Sequence, residues 1–92
     1  MSQFDNVTVQ LVWMKGINVP GKDSTQIRQD ACGAYIARNM YGDRTSQNNN
    51  GWEIDHIIPG GSDNLSNPRP LQWNNNECRQ DGPLSCPVTA QR

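Results

Sequence analysis

The sequence predicts a small, loop-rich domain of the α+β class. Runs of alternating apolar and polar residues suit strands, a polar segment near residue 75 suits a helix, and Gly, Pro and Asn separate them. Only 34% of the 92 residues are hydrophobic and the mean hydropathy is −0.82, so the core must be thin. The low hydropathy comes from 11 Asn and 8 Gln, because charged residues make up only 18% of the chain. Three Trp, two Tyr and one Phe supply core rings, which favours a folded chain over a disordered one.

The first half of the chain predicts two strands and one helical turn. Residues 6–14 alternate with period two, which predicts a strand that ends at Gly16. The apolar members of this pattern, expected on one face, are Val7, Val9, Leu11 and Trp13. Asp23 with its neighbour Ser24 is suited to cap a single helical turn over 25–29. Residues 34–37 (AYIA) predict a short strand, and the polar run at 45–51 predicts an exposed loop.

The second half predicts a strand, a second strand and a helix in that order. Residues 52–58 are the most strand-like run, closed by a Pro-Gly-Gly turn. Alternation places Trp52, Ile54 and His56 on one face and Glu53, Asp55 and Ile57 on the other. A second strand is expected near 69–73 and a short helix over 74–80, stopped by Gly82 and Pro83. Residues 1–82 therefore form one predicted domain, and 83–92 are expected to be a flexible tail.

Composition also excludes several classes of protein. No apolar stretch approaches the ~20 residues needed to cross a membrane, and the first ten residues lack the pattern of a signal peptide, so we expect a cytoplasmic location. The three cysteines (Cys32, Cys78 and Cys86) are an odd number without a CxxC pair, which argues against a disulfide scaffold and a four-Cys zinc site. A pI near 5.6 gives no basic footprint for nucleic acid.

The one histidine lies in a setting that suits catalysis. His56 follows Asp55 near the end of the predicted strand, and a Gly-rich connection brings Asn67 and the run 74–76 back towards it. An imidazole exchanges a proton near neutral pH, and carboxylate and amide oxygens are hard ligands that suit Mg²⁺ or Mn²⁺. Adjacent strand residues point to opposite faces, so Asp55 and His56 can share a site only where the strand twists, bulges or ends.

These residues resemble the HNH endonuclease family. The resemblance is carried by GWEIDHIIP at 51–59, GGSDNLSN at 60–67, RPLQW at 69–73 and NNN at 74–76, and extends upstream to RQDACGAYI at 28–36 and Tyr41-Gly42. The family fold is a ββα-metal unit, a hairpin packed on a helix around one divalent ion. The resemblance places this unit at about 52–81 and implies a metal-dependent endonuclease that hydrolyses phosphodiester bonds in DNA, with double-stranded DNA as the expected substrate.

Carried over by position, the resemblance gives each candidate residue a role. His56 is the general base and Asp55 a metal ligand. Asn67 holds the connecting loop and helps to orient the histidine, so it is grouped with the catalytic residues. Asn76 is the second metal ligand, with Asn75 as the alternative if the register is shifted by one. Mg²⁺ or Mn²⁺ is the expected ion, with Zn²⁺ as a possible substitute. Arg69 and Arg79 are the expected nucleic-acid contacts.

One departure from the expected pattern keeps other hypotheses open. Residues 53–81 hold five acidic side chains against two basic ones, a net charge of −3, so phosphate contacts would also have to come from the first half. The basic residues there are Lys15, Lys22, Arg28, Arg38 and Arg44. An inactive HNH-like module that binds nucleic acid or a protein is therefore the alternative. A zinc domain is a third hypothesis, with Cys32, Cys78, Cys86 and His56 as its ligands.

Overall fold

A computed structural model describes residues 4–45, 50–62, 64 and 66–90. It is a compact α+β structure with two helices and two small antiparallel sheets. The elements in chain order are α1 (Asn6–Trp13), β1 (Ile17–Asn18), β2 (Ile27–Gln29), β3 (Tyr35–Ala37), a 3₁₀ turn (Arg38–Met40), β4 (Trp52–His56), β5 (Pro68–Gln72) and α2 (Trp73–Arg79). Strands β1, β2 and β3 form one sheet with β2 in the centre, and β4 pairs with β5 in the other. No helix in the described part of the chain is long and apolar enough to span a bilayer.

The strand predicted over 6–14 is wrong, because this segment is helix α1. The Asp5 side chain accepts a hydrogen bond from the Thr8 N–H at 2.7 Å and caps the helix. The buried residues Val9, Val12 and Trp13 follow helical spacing. The apparent period of two arose because two apolar residues, Val7 (70% exposed) and Leu11 (41% exposed), lie on the outer surface of the helix.

The helical turn predicted over 25–29 is right in its cap and wrong in its second half. Asp23 does cap a turn, since its Oδ1 accepts from both the N–H and the hydroxyl of Thr25. The chain then leaves the turn and Ile27–Gln29 becomes the central strand of the first sheet. The strand predicted over 34–37 is confirmed as β3. Most of the loop predicted over 45–51 lies outside the described residues.

The core is built around tryptophans between α1 and the two sheets. Trp13 and Trp52 are fully buried, with ring centroids 5.4 Å apart, and Ile36 of β3 joins them. The Trp52 indole N–H donates to the Ala37 carbonyl at 2.8 Å, so the buried ring leaves no polar atom unpaired. This cluster fixes the β4–β5 hairpin against the first half of the chain.

The prediction from the cysteine count is also wrong, because Cys32 and Cys86 form a disulfide. Only Cys78 is a free thiol among the described residues. The bond removes two of the four ligands of the zinc hypothesis, since disulfide sulfurs are not thiolates. Disulfides persist in oxidising compartments, so the cytoplasmic location stays a prediction.

The C-terminal segment is attached beside this disulfide. Val88 is 5% exposed and exchanges two hydrogen bonds with the Asn75 carboxamide, at 2.9 Å and 3.0 Å. These contacts, together with the disulfide at Cys86, join the described part of the tail to α2 and to the β2–β3 loop. The flexibility expected for 83–92 stays a prediction.

Candidate functional site

The candidate site is built on the β4–β5 hairpin and the helix that follows it. Pairing sets Asp55 opposite Arg69 and His56 opposite Pro68. The Ile57 N–H donates to the Asn67 carbonyl, so Pro68 falls at a non-hydrogen-bonded position where its missing N–H costs no ladder bond. Helix α2 begins directly after β5, because the Gln72 side chain accepts the N–H groups of residues 74 and 75.

Strand alternation separates the candidate residues into two sets. Glu53 and Asp55 point towards α2, where Asn76 and Arg79 occupy one face of the helix at i and i+3. The His56 side chain projects from the opposite face of β4. The site therefore has a polar side that faces α2 and an imidazole that faces the first half of the chain.

Asp55 is the most enclosed charge of the polar side. Its carboxylate is 7% exposed and receives Arg79 Nη1 on Oδ1 at 2.7 Å and Arg69 Nε on Oδ2 at 2.9 Å. Two guanidinium groups thus surround one buried carboxylate. Each carboxylate oxygen has a second lone-pair direction, so these bonds do not use the full acceptor capacity of Asp55.

Arg79 uses its whole guanidinium inside the protein. Besides Asp55, it donates to the carbonyls of His56 and Ile57 at 2.7 Å each and to the Gly82 carbonyl at 2.9 Å. Its side chain is 7% exposed, which leaves little surface for a phosphate. The structure therefore shows Arg79 binding the end of β4 to the end of α2, and its predicted nucleic-acid contact stays untested.

Asn76 lies opposite Glu53, one alternate position from Asp55. Its Nδ2 donates to Glu53 Oε1 at 2.8 Å, and the same carboxylate accepts a fork from Arg44, with Nη2–Oε1 at 2.8 Å. Burial raises the pKa of Glu53, but the hydrogen bonds from Arg44 and Asn76 outweigh it and hold that pKa below its usual value. The carboxylate is thus kept ionised, and the amide of Asn76 is oriented with its nitrogen towards Glu53.

Asn75 has a different role from its neighbour. It is fully buried, and its Nδ2 donates to Asp30 Oδ2 and to the Val88 carbonyl, both at 3.0 Å. Its Oδ1 accepts the Val88 N–H. These bonds turn the Asn75 amide towards Asp30 and Val88, whereas Asn76 is bonded to Glu53 on the strand face that carries Asp55. The geometry therefore favours Asn76 over Asn75 as the residue that faces the polar side.

His56 is half-buried at the last position of β4. Its ring lies 6.2 Å from the ring of Phe4, measured between centroids, on the side that faces α1. The neighbouring carboxylate of Asp55 points to the other face. The imidazole of His56 and the carboxylate of Asp55 therefore lie on opposite faces of β4, as strand alternation predicts.

Asn67 ties together the loop that joins the two strands. Its Oδ1 accepts the Ile58 N–H at 2.8 Å, and its Nδ2 donates to the carbonyls of Ile58 and Ser62 at 3.2 Å and 2.9 Å. The side chain is 6% exposed. These three bonds fix the chain that leaves His56, while the catalytic part of the predicted role stays untested.

Sequence reasoning missed the pairing of Glu53 with Arg44 at this site, and the role of Asp30, which holds the neighbouring Asn75. Glu53 could have been found, because it shares a strand face with Asp55. Asp30 is 1% exposed and accepts four N–H groups, from Cys32, Ala34, Gln72 and Asn75. Nothing local in the sequence marks a carboxylate that is bonded to partners more than 40 residues away.

The residues present suit a hard cation by their chemistry. Asp55 offers carboxylate oxygen, and the orientation of Asn76 leaves its carbonyl oxygen to act as a ligand. In the described part of the chain, no group of three or more His, Cys, Asp or Glu side chains is placed to hold a metal ion. Mg²⁺ commonly takes one or two carboxylate ligands from a protein and keeps several waters.

Comparison with known proteins adds no assignment. No protein-family model matches the chain, and no curated protein or solved structure shows significant similarity to it.

Proposed function

We propose that this chain is a divalent-metal-dependent endonuclease of the HNH type that hydrolyses phosphodiester bonds in DNA. The observation that supports it most is the hairpin and helix at 52–79, with Asp55 and Asn76 on facing elements and His56 at the strand end. The same order of elements is what a ββα-metal core requires. Asn67 supports the proposal because it fixes the loop next to His56.

In this proposal Asp55 and Asn76 hold one Mg²⁺ or Mn²⁺ ion. The bound ion would supply charge stabilisation for the scissile phosphate and its leaving oxygen. Glu53 is a positioning residue, because it takes the amide nitrogen of Asn76 and leaves the amide oxygen as a possible ligand. Arg79 positions Asp55 in the same way through its bond to Oδ1.

His56 is the general base of the proposal. Its imidazole accepts a proton from the attacking water. Arg79 holds the main-chain carbonyls of both His56 and Ile57, so the strand end that carries the imidazole is rigid. Rigid support of this kind keeps a base within reach of its substrate.

Nicking of supercoiled plasmid tests the proposal. With Mg²⁺ or Mn²⁺, the wild type converts plasmid to open circles, and His56→Ala lowers the rate by about 10²-fold or more, the usual contribution of a general base. Thr89→Ala, an exposed change away from the site, is the matched control and keeps the wild-type rate. Absence of nicking in every divalent metal, or equal nicking by wild type and His56→Ala, contradicts the catalytic role.

One observation favours a second candidate, a non-catalytic module of the same fold. Asp55 already has two guanidinium partners, which compete electrostatically with a divalent cation. Titration of Mg²⁺ followed by ¹⁵N NMR separates the two functions. Shifts centred on Asp55, Asn76 and the end of β4 support the enzyme, and their absence at millimolar Mg²⁺ supports the binding module.

A further inference from the structure

Two exposed isoleucines lie directly after β4. Ile57 is 44% exposed and Ile58 is 66% exposed, and within the described residues no other two exposed large apolar side chains are neighbours in sequence. His56, the proposed general base, immediately precedes them. We call residues 57–62 the tip, and none of them is charged. The molecule therefore presents a small, uncharged, apolar surface beside its candidate site.

Hydrogen bonds hold the main chain of both isoleucines. The Ile57 N–H donates to the Asn67 carbonyl at 3.0 Å, and the Ile57 carbonyl accepts Arg79 Nη2 at 2.7 Å. The Ile58 N–H donates to Asn67 Oδ1 at 2.8 Å, and the Ile58 carbonyl accepts Asn67 Nδ2 at 3.2 Å and the Gly61 N–H at 2.9 Å. A Cβ at Gly61 would lie 2.9 Å from the Ile58 carbonyl oxygen, so the turn favours glycine there. All four polar main-chain groups of the two isoleucines are thus bonded inside the protein, which preorganises the tip.

The small size of the tip favours a DNA duplex over a protein or a membrane as its partner. A stable protein interface buries about 800 Å² on each side, and two neighbouring isoleucines cover only a small part of that area. A membrane contact needs a longer apolar face flanked by Lys or Arg, and the tip has no basic residue. One or two apolar side chains are enough to enter a base step of a duplex, and Ile is among the residues that do so.

We propose that Ile57 and Ile58 form a wedge that enters a base step of DNA close to the phosphate that is cleaved. The inference rests on the proposed function, which supplies DNA as the partner. Two residues of chain span at most about 7 Å, so Ile58 lies within about two base-pair steps of His56, at roughly 3.4 Å a step. A wedge binds through apolar burial, so it suits a chain whose pI near 5.6 provides no basic footprint.

The wedge also predicts which sites are cut. Pyrimidine–purine steps such as TA and CA unstack and kink more easily than other steps, so insertion there costs less free energy. Nicks are therefore expected to cluster within about two base pairs of TA and CA steps. This preference comes from the deformability of DNA, since an isoleucine side chain has no polar atom to bond a base edge.

Fluorescence of 2-aminopurine tests the wedge, because the emission of this base rises when it is unstacked. The base replaces adenine in the TA step of a short duplex, and the titrations are done in EDTA so that no DNA is cut. Binding of the wild type is expected to raise the fluorescence. Ile58→Ala is expected to abolish the rise and to weaken duplex binding about tenfold, because it removes most of the apolar surface of the side chain. Ile58→Leu keeps that surface and retains both properties.

Val7→Ala is the matched control. Val7 is 70% exposed, close to the 66% of Ile58, and it lies on α1 away from the tip. The control keeps the fluorescence rise and the duplex affinity of the wild type. Thermal unfolding verifies that Ile58→Ala is folded, as expected for an exposed substitution. No fluorescence rise with a saturating amount of wild type, or an equal rise with Ile58→Ala, overturns the wedge.

Nicking assays distinguish failure of the wedge from failure of the nuclease. If no divalent metal supports nicking but the fluorescence rise still depends on Ile58, the nuclease proposal fails and the wedge stands. If nicking depends on His56 but Ile58→Ala retains the wild-type rate and cleavage sites, the wedge fails and the nuclease stands. A wild type that does not bind the duplex, sediments as a dimer and becomes monomeric in Ile58→Ala overturns DNA as the partner and makes the tip a contact between two copies of the chain.

Discussion

The two faces of β4 differ in kind although they belong to the same five residues. The face towards α1 carries Trp52 and Ile54, which join the tryptophan core, and ends at His56. The face towards α2 carries Glu53 and Asp55, and each of them is bonded to an arginine and to α2. One face is thus held by apolar burial and the other by ion pairs, and the candidate chemistry lies where the two faces meet at the strand end.

The two faces of β4 are expected to respond to different kinds of substitution. Apolar burial is non-directional, and a lost ring leaves a cavity whose cost grows with its volume. A buried ion pair is directional, and removing one partner leaves the other charge unpaired. Substitutions that remove a charge and keep the volume therefore test the polar face, and substitutions that remove volume test the apolar face.

Trp52→Ala is expected to have the largest effect. The ring is fully buried against Trp13 and Tyr41, so its removal costs about 4 kcal/mol, a large share of the stability of a 92-residue domain. Urea unfolding followed by circular dichroism measures this loss. Val7→Ala on the exposed side of α1 is the control and changes stability by less than about 0.5 kcal/mol. Similar midpoints for the two variants would contradict the assignment of Trp52 to the core.

Asp55→Asn tests the polar face and is expected to cost about 3 kcal/mol, because Arg79 stays buried without its counter-charge. The volume is almost unchanged, so the loss reports charge rather than packing. The control Asp81→Asn changes an exposed carboxylate next to α2 and is expected to be near neutral. If Asp55→Asn were as stable as the wild type, the double ion pair would not stabilise this face. A gain in stability would show that the carboxylate is retained for function at a cost to the fold.

The predictability of these regions follows from the range of their interactions. The strands and helix at 52–79 were predicted within one or two residues, because alternation and a short polar helix are local signals. Helix α1 was not, since exposed Val7 and Leu11 imitate a strand pattern and the capping Asp5 was not recognised. The Cys32–Cys86 bond joins residues 54 positions apart, and an odd number of cysteines does not specify a pair.

The candidate site was predicted only as a set of residues. Its sequence order brings Asp55, His56, Asn67 and Asn76 to one hairpin and helix, as expected. The partners that decide the chemistry, two arginines on Asp55 and Glu53 on Asn76, come from cross-strand pairing and from packing of α2. Such contacts depend on the register and the direction of side chains, and neither is fixed by the spacing of a motif.

Substitution of Glu53 is expected to have the smallest effect on stability. It is also the sharpest test of the contrast between the two faces of β4. Its pKa is lowered in the folded chain, so its ionised form adds stability at neutral pH, and this stability is lost as the pH falls through the acid range below its usual value. Glu53→Gln is expected to cost about 1 kcal/mol at pH 7, as for a partly exposed ion pair, and the difference from the wild type should shrink towards pH 3. Thermal unfolding at several pH values measures it, with Trp52→Ala as the control whose deficit is largely independent of pH. If the loss of stability in Glu53→Gln stayed constant from pH 7 to pH 3, the Glu53 carboxylate would act through its shape and not through its charge. Charge would then not be what distinguishes the α2 face of β4 from the apolar face.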